Sequence, residues 1–85
     1  MREYFIKFIA EDVNGCGTVV LARVYGYGNT ITDETIHRVK NAIRCYKYKN
    51  EGKWDTDGCL QAAKEYLEFE GFEVHWINGD FEICF

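Results

Sequence analysis

Residues 54–85, WDTDGCLQAAKEYLEFEGFEVHWINGDFEICF, carry three signals that agree on one local structure. An acidic start, Asp55-Thr56-Asp57, precedes a helical run from Cys59 to Glu70, and Gly71 stops it. Asp55 or Asp57 is the cap. The helix is expected to bury Leu60, Ala63 and Leu67, with Cys59, Ala62, Tyr66 and Phe69 widening the apolar stripe. Two alternating segments then flank Asn78-Gly79, a pair suited to a two-residue hairpin turn. That turn sets Trp76 opposite Phe81, Val74 opposite Ile83 and Phe72 opposite Phe85, gathering every large ring of the hairpin on one face. The other face pairs Ile77 with Asp80, His75 with Glu82 and Glu73 with Cys84.

Working outward, residues 4–10 alternate imperfectly, and residues 18–25 are β-branched and apolar apart from Arg23. The turn residues between them predict a second antiparallel hairpin. A two-residue Asn14-Gly15 turn would place Ala10 opposite Val19, Phe8 opposite Leu21 and Tyr4 opposite Tyr25. Residues 25–29, YGYGN, break the strand and expose aromatic rings. Thr32 then caps a helix from Asp33 to Tyr46 or Tyr48, with Asp33 and Glu34 in its first turn and Ile36, Val39, Ile43 and Tyr46 on its buried stripe. The predicted fold is α+β in the order β-β-α-α-β-β, an antiparallel sheet built from two hairpins with two helices packed on it.

Eighty-five residues with no proline and no linker-like stretch make one domain, 1–85. A chain this short buries only ~60–65% of its unfolded surface. At 47% hydrophobic and 16% aromatic it nevertheless has the composition of a folded core and not of a disordered tail. No apolar run approaches the ~20 residues of a membrane span, and the charged N-terminus does not read as an export signal, so a cytoplasmic setting is expected. In a reducing compartment the scattered Cys16, Cys45, Cys59 and Cys84 read as four small buried thiols, Cys16 between its glycines least of all as core filler, and they lack the close pairs of a zinc site. Residues 1–45 carry six Lys/Arg against five Asp/Glu, and residues 46–85 carry four against nine. An acidic half disfavours direct nucleic-acid binding and favours a basic protein partner.

Candidate chemistry is sparse. His75 with Glu82 is a His–carboxylate pair that an open sheet face explains as an ion pair. His37, Lys40 and Arg44, near Tyr46 and Tyr48, form a basic stripe that an ordinary solvated helix explains. The segment Gly26-Tyr27-Gly28 lacks the Lys and Ser/Thr of a phosphate loop. Gly15-Cys16-Gly17 exposes a thiol without an adjacent histidine to activate it. Neither an enzyme nor a cofactor or metal is implied.

Asn14-Gly15-Cys16-Gly17, followed about forty residues later by Trp54-x-Thr56-Asp57 and then Ala62-Ala63, resembles a small type II-C anti-CRISPR family. Its members are phage-encoded proteins that bind the HNH nuclease domain of Cas9. The resemblance implies a stoichiometric inhibitor that caps the HNH site, stopping DNA cleavage while target binding continues. It also implies two contact segments, a Gly-Cys-Gly loop and a Ser-Cys pair before the final strand. Gly15, Cys16 and Gly17 match the first, with Asn14 where the family has an acidic residue. The second does not match, because Asn78-Gly79-Asp80 occupies that region. The expected partner surface is therefore Asn14, Gly15, Cys16, Gly17, Asn78 and Asp80, presented by a monomer to a nuclease. Two other classes remain open at this point: an acidic nucleic-acid mimic directed at another host nuclease, and a homodimeric interaction module using Tyr25, Tyr27, Tyr46 and Tyr48.

Overall fold

In the computed structural model, which describes residues 1–11, 13–15 and 17–77, the chain opens with two long strands, β1 (Arg2–Glu11) and β2 (Gly17–Gly26). They pair antiparallel without interruption from Arg2↔Gly26 to Glu11↔Gly17. A short β3 (Glu73–Trp76) joins the far side of β2, from Tyr25↔Glu73 to Ala22↔Trp76, so the sheet order is β1-β2-β3. The described architecture is thus α+β, with the order β1-β2-α1-α2-β3. The turn expected at Asn78-Gly79, and the strand expected after it, lie outside the described residues.

Helix α1 (Asp33–Lys49) begins where a capping box predicts. The Thr32 hydroxyl accepts from the Thr35 amide at 3.2 Å, and the Thr32 amide donates to Thr35 Oγ1 at 3.1 Å. It ends a little later than expected, with Lys47 and Lys49 in a last turn that favours cations. Helix α2 (Thr56–Phe69) is capped by Asp55, whose carboxylate accepts from the Gly58 amide at 2.7 Å, and so starts ahead of the expected Cys59. Gly71, at φ +96°, ends it. Phe72 N donates to Leu67 O and Gly71 N to Glu68 O, each at 3.0 Å, the double closure that a left-handed glycine permits. Asn29 Nδ2 donates to Glu70 O at 2.8 Å and ties the β2–α1 connection to that same helix end.

One face of the sheet supplies the core: Phe8, Ala22, Val24 and Val74 meet Phe72, Ala63 and Leu67 from the α2 side and Val39 from α1. Ala22 is small and fully buried, and beside it the rings of Phe8 and Trp76 meet edge to face across β2, centroids 5.5 Å apart. Burial of Leu67 alone contributes on the order of 2 kcal/mol. Phe72, Val74 and Trp76 do share the inner face, as expected of the described half of the last hairpin.

Other expectations are corrected. The β1–β2 register differs by one residue: Phe8 lies opposite Val20 and Tyr4 opposite Val24, not Leu21 and Tyr25. Residues 12–16 separate the strands where a two-residue turn was expected, and a slip of one position moves every side chain of a strand to the other face. The core takes the row Val20, Ala22 and Val24, all buried, and leaves Leu21 exposed and Tyr25 half-buried on the other face. On α1 only Val39 of the expected stripe is buried, and on α2 Phe69 is 84% exposed because it lies past the edge of the sheet-facing stripe. Cys59 is buried, as expected of a core thiol, but Cys45 is exposed.

Candidate functional site

Among the described residues, both helices lie on the inner face of the sheet and none covers the outer one. Register places Glu3, Tyr25 and Glu73 in one row across the three strands, and Phe5, Arg23 and His75 in the next. Arg23 sits at the centre, its Nε 3.4 Å from Glu3 Oε2 and its guanidinium 5.5 Å from the centroid of the Phe5 ring. His75 Nε2 lies 2.5 Å from Glu73 Oε2, the Tyr27 hydroxyl donates to Glu73 Oε1 at 3.2 Å, and the Tyr25 and His75 rings meet edge to face. The hydrogen bond with His75 holds the Glu73 carboxyl below the usual carboxylate range, with the Tyr27 bond acting the same way. Tyr27 titrates above an ordinary phenol, through partial loss of water and then the Glu73 charge. These residues, with Met1, Trp76 and Ile77, line a shallow depression. Its polar groups are paired with one another.

This cluster was not anticipated as a site. His75 was assigned Glu82 as its partner, a residue outside the described ones, and its carboxylate here is Glu73 of its own strand. The signal was present in the sequence: in Glu73-x-His75 the two side chains fall on the same face of a strand.

Three of the expected partner residues, Asn14, Gly15 and Gly17, are described, and they lie at one end of the sheet. Val13, Asn14 and Gly15 stand exposed beyond the last β1–β2 pair, with Gly17 at the start of β2. Gly15 has φ +81°, a left-handed conformation that a side chain would strain, and open space surrounds its Cα. β3 runs antiparallel to β2, and its last pair, Ala22↔Trp76, falls midway along β2. Cys16, Asn78 and Asp80 lie outside the described residues, so of the six residues Asn14, Gly15 and Gly17 are the ones placed together.

The remaining blocks of the anti-CRISPR resemblance serve the fold. Trp54 lies under Lys47, whose Nζ is 4.4 Å from its ring centroid, Thr56 and Asp57 form the first turn of α2, and Ala63 is core. Ala62 lines the seam between the helices with Tyr46 and Tyr66.

On α1, Arg38 is engaged by Glu34 at 2.5 Å and by Glu70 at 3.6 Å, Arg44 donates to Asn41, and Tyr46 turns inward to Asp55. These ion pairs neutralise Arg38, a neighbour of the expected stripe of His37, Lys40 and Arg44, and Tyr48 is the most exposed ring of the helix. Burial raises the Cys59 thiol above its ordinary value, the opposite of an activated nucleophile. Among the described residues no group of three or more His, Cys, Asp or Glu is placed to hold a metal ion, and no helix is long and apolar enough to cross a membrane. Compared with protein-family models, with curated proteins and with solved structures, the chain matches none.

Proposed function

We propose that this protein is a non-catalytic inhibitor that binds a nuclease, with the HNH domain of Cas9 as its target and the host cytoplasm as its place of action. The observation that carries this reading is the β1–β2 loop. Of the blocks that resemble the anti-CRISPR family, it is the one whose described residues, Asn14, Gly15 and Gly17, are exposed at a sheet end. The helix-start and alanine blocks are used within the fold. A resemblance divided in this way fits a shared scaffold that presents one contact loop.

An HNH site must hold a divalent metal and a phosphate, so its cleft is polar and attracts negative or amide-rich surfaces. A chain of net charge −4 that offers Asn14 and glycine backbone amides can occupy such a cleft without chemistry of its own. Asn78 and Asp80 belong to the same proposed surface on the strength of the sequence. Titration of an isolated type II-C HNH domain by calorimetry tests the reading. Binding is expected with one inhibitor chain per domain, and Asn14→Lys should weaken it at least about tenfold, a loss of ~1.4 kcal/mol. Unchanged affinity in Asn14→Lys would move the interface off this loop.

A further inference from the structure

We propose that the outer edge of β1 is a self-association site, at which a second copy of this chain adds its own β1 antiparallel about a two-fold axis through Phe5. β1 forms an unbroken ladder of pairs with β2 and contains no proline. Among the described residues nothing pairs with its other edge. Proteins ordinarily blunt such edges with bulges, prolines, short length or charges, and of these β1 has only the charges Glu3 and Lys7, which opposite charges on a second copy can pair. On its open face Phe5 and Ile9, 61% and 72% exposed, alternate with the charged Glu3 and Lys7.

The hydrogen-bonding parity of β1 follows from one bond. Ile77 N donates to Leu21 O, so the odd-numbered residues of β2 direct their backbone groups toward β3 and the even-numbered ones toward β1. By the register, the even residues of β1 bond to β2, which leaves the N–H and C=O groups of Glu3, Phe5, Lys7 and Ile9 directed outward. Two such edges can pair only with odd residues opposite odd residues. Both copies then keep their helices on the same face of one continuous sheet.

Charge selects among the allowed registers. Centring the axis on Lys7 or on Glu3 places like charges face to face, and centring it on Ile6 sets Lys7 opposite Phe5 and Glu3 opposite Ile9. Centring it on Phe5 sets Glu3 opposite Lys7 of the second copy twice, on either side of a Phe5–Phe5 pair. On the inner face, Tyr4 and Arg2 of the second copy fall opposite Ile6 and Phe8. Beside them lies a groove of about 280 Å³ that Ile6 and Phe8 form with Ile36, Val39, Lys40 and Ile43 of α1. The arrangement puts the two β1–β2 loops at opposite ends of the joint sheet, and it does not depend on the nuclease reading.

Sedimentation equilibrium of the full chain, reduced, over a range of concentrations tests this inference. The expected mass is twice 9.9 kDa. Glu3→Lys and Lys7→Glu, each alone, turn both cross-copy pairs into like-charge pairs and should raise the dimer dissociation constant about tenfold or more. An equimolar mixture of the two variants restores opposite charges at both pairs and should form a heterodimer near the original affinity. A chain that stays at 9.9 kDa at the highest concentration, or single variants that dimerise unchanged, overturns the proposal. So does a mixture that associates no better than its components, provided circular dichroism shows both folded.

Discussion

Gly58 shows how one position in this chain joins two elements. Its missing Cβ would lie 1.8 Å from the Tyr46 hydroxyl, which donates to Asp55 at 3.2 Å while Asp55 caps α2 through the Gly58 amide. Gly58→Ala therefore has to displace the Tyr46 ring and break the link between the end of α1 and the start of α2. Urea unfolding should show a loss of about 1–3 kcal/mol, more than the gain in helix propensity can offset. Asp55 was legible as a cap candidate from composition, whereas Tyr46 was read as core stripe and surface ring. Its actual partner depends on how the two helices cross, which spacing within one helix does not encode. Glu73 yields a second test at this scale. Its folded pKa is depressed, so its contacts stabilise the fold above the unfolded carboxylate value, ~4.3, and that contribution is lost as pH falls through the folded value. Carboxyl NMR titration should place Glu73 below the ordinary range, and His75→Ala should bring it back toward it.

Among the elements, the helices were legible because caps, a stop glycine and a period near 3.6 agreed. The β1–β2 register was not, and the reason is physical. Both faces of β1 are apolar, with Tyr4, Ile6 and Phe8 on one and Phe5 and Ile9 on the other, so alternation alone cannot choose which faces the helices. What separates the two registers is which row of β2 reaches the core, and it is Val20, Ala22 and Val24, a three-dimensional property. The two registers make opposite predictions for paired truncations. Val24→Ala should cost about 2 kcal/mol because the side chain is fully buried, while Leu21→Ala, at a site 39% exposed, should cost less than about 1 kcal/mol. The reverse order in denaturant titrations would restore the one-residue slip.

For the whole molecule, the described residues form a three-stranded antiparallel sheet with α2 on its inner face and α1 packed on α2, and among them nothing covers the outer face or the loop end. The loop was legible as a contact candidate from its glycines and from the family resemblance. The Arg23, Glu73 and His75 cluster was not, because cross-strand neighbours require the register. Functionally the protein is read as a domain that acts by occupying another protein's site, and the most direct measurement is Cas9 activity itself. A panel of type II-C Cas9 enzymes, each loaded with guide RNA, is assayed in parallel for target-DNA cleavage and target-DNA binding in the presence of the chain. Loss of cleavage with DNA binding retained in at least one enzyme, relieved by Asn14→Lys, is the predicted result. Cleavage unchanged across the panel at saturating inhibitor, with no binding to the isolated HNH domain, would contradict it.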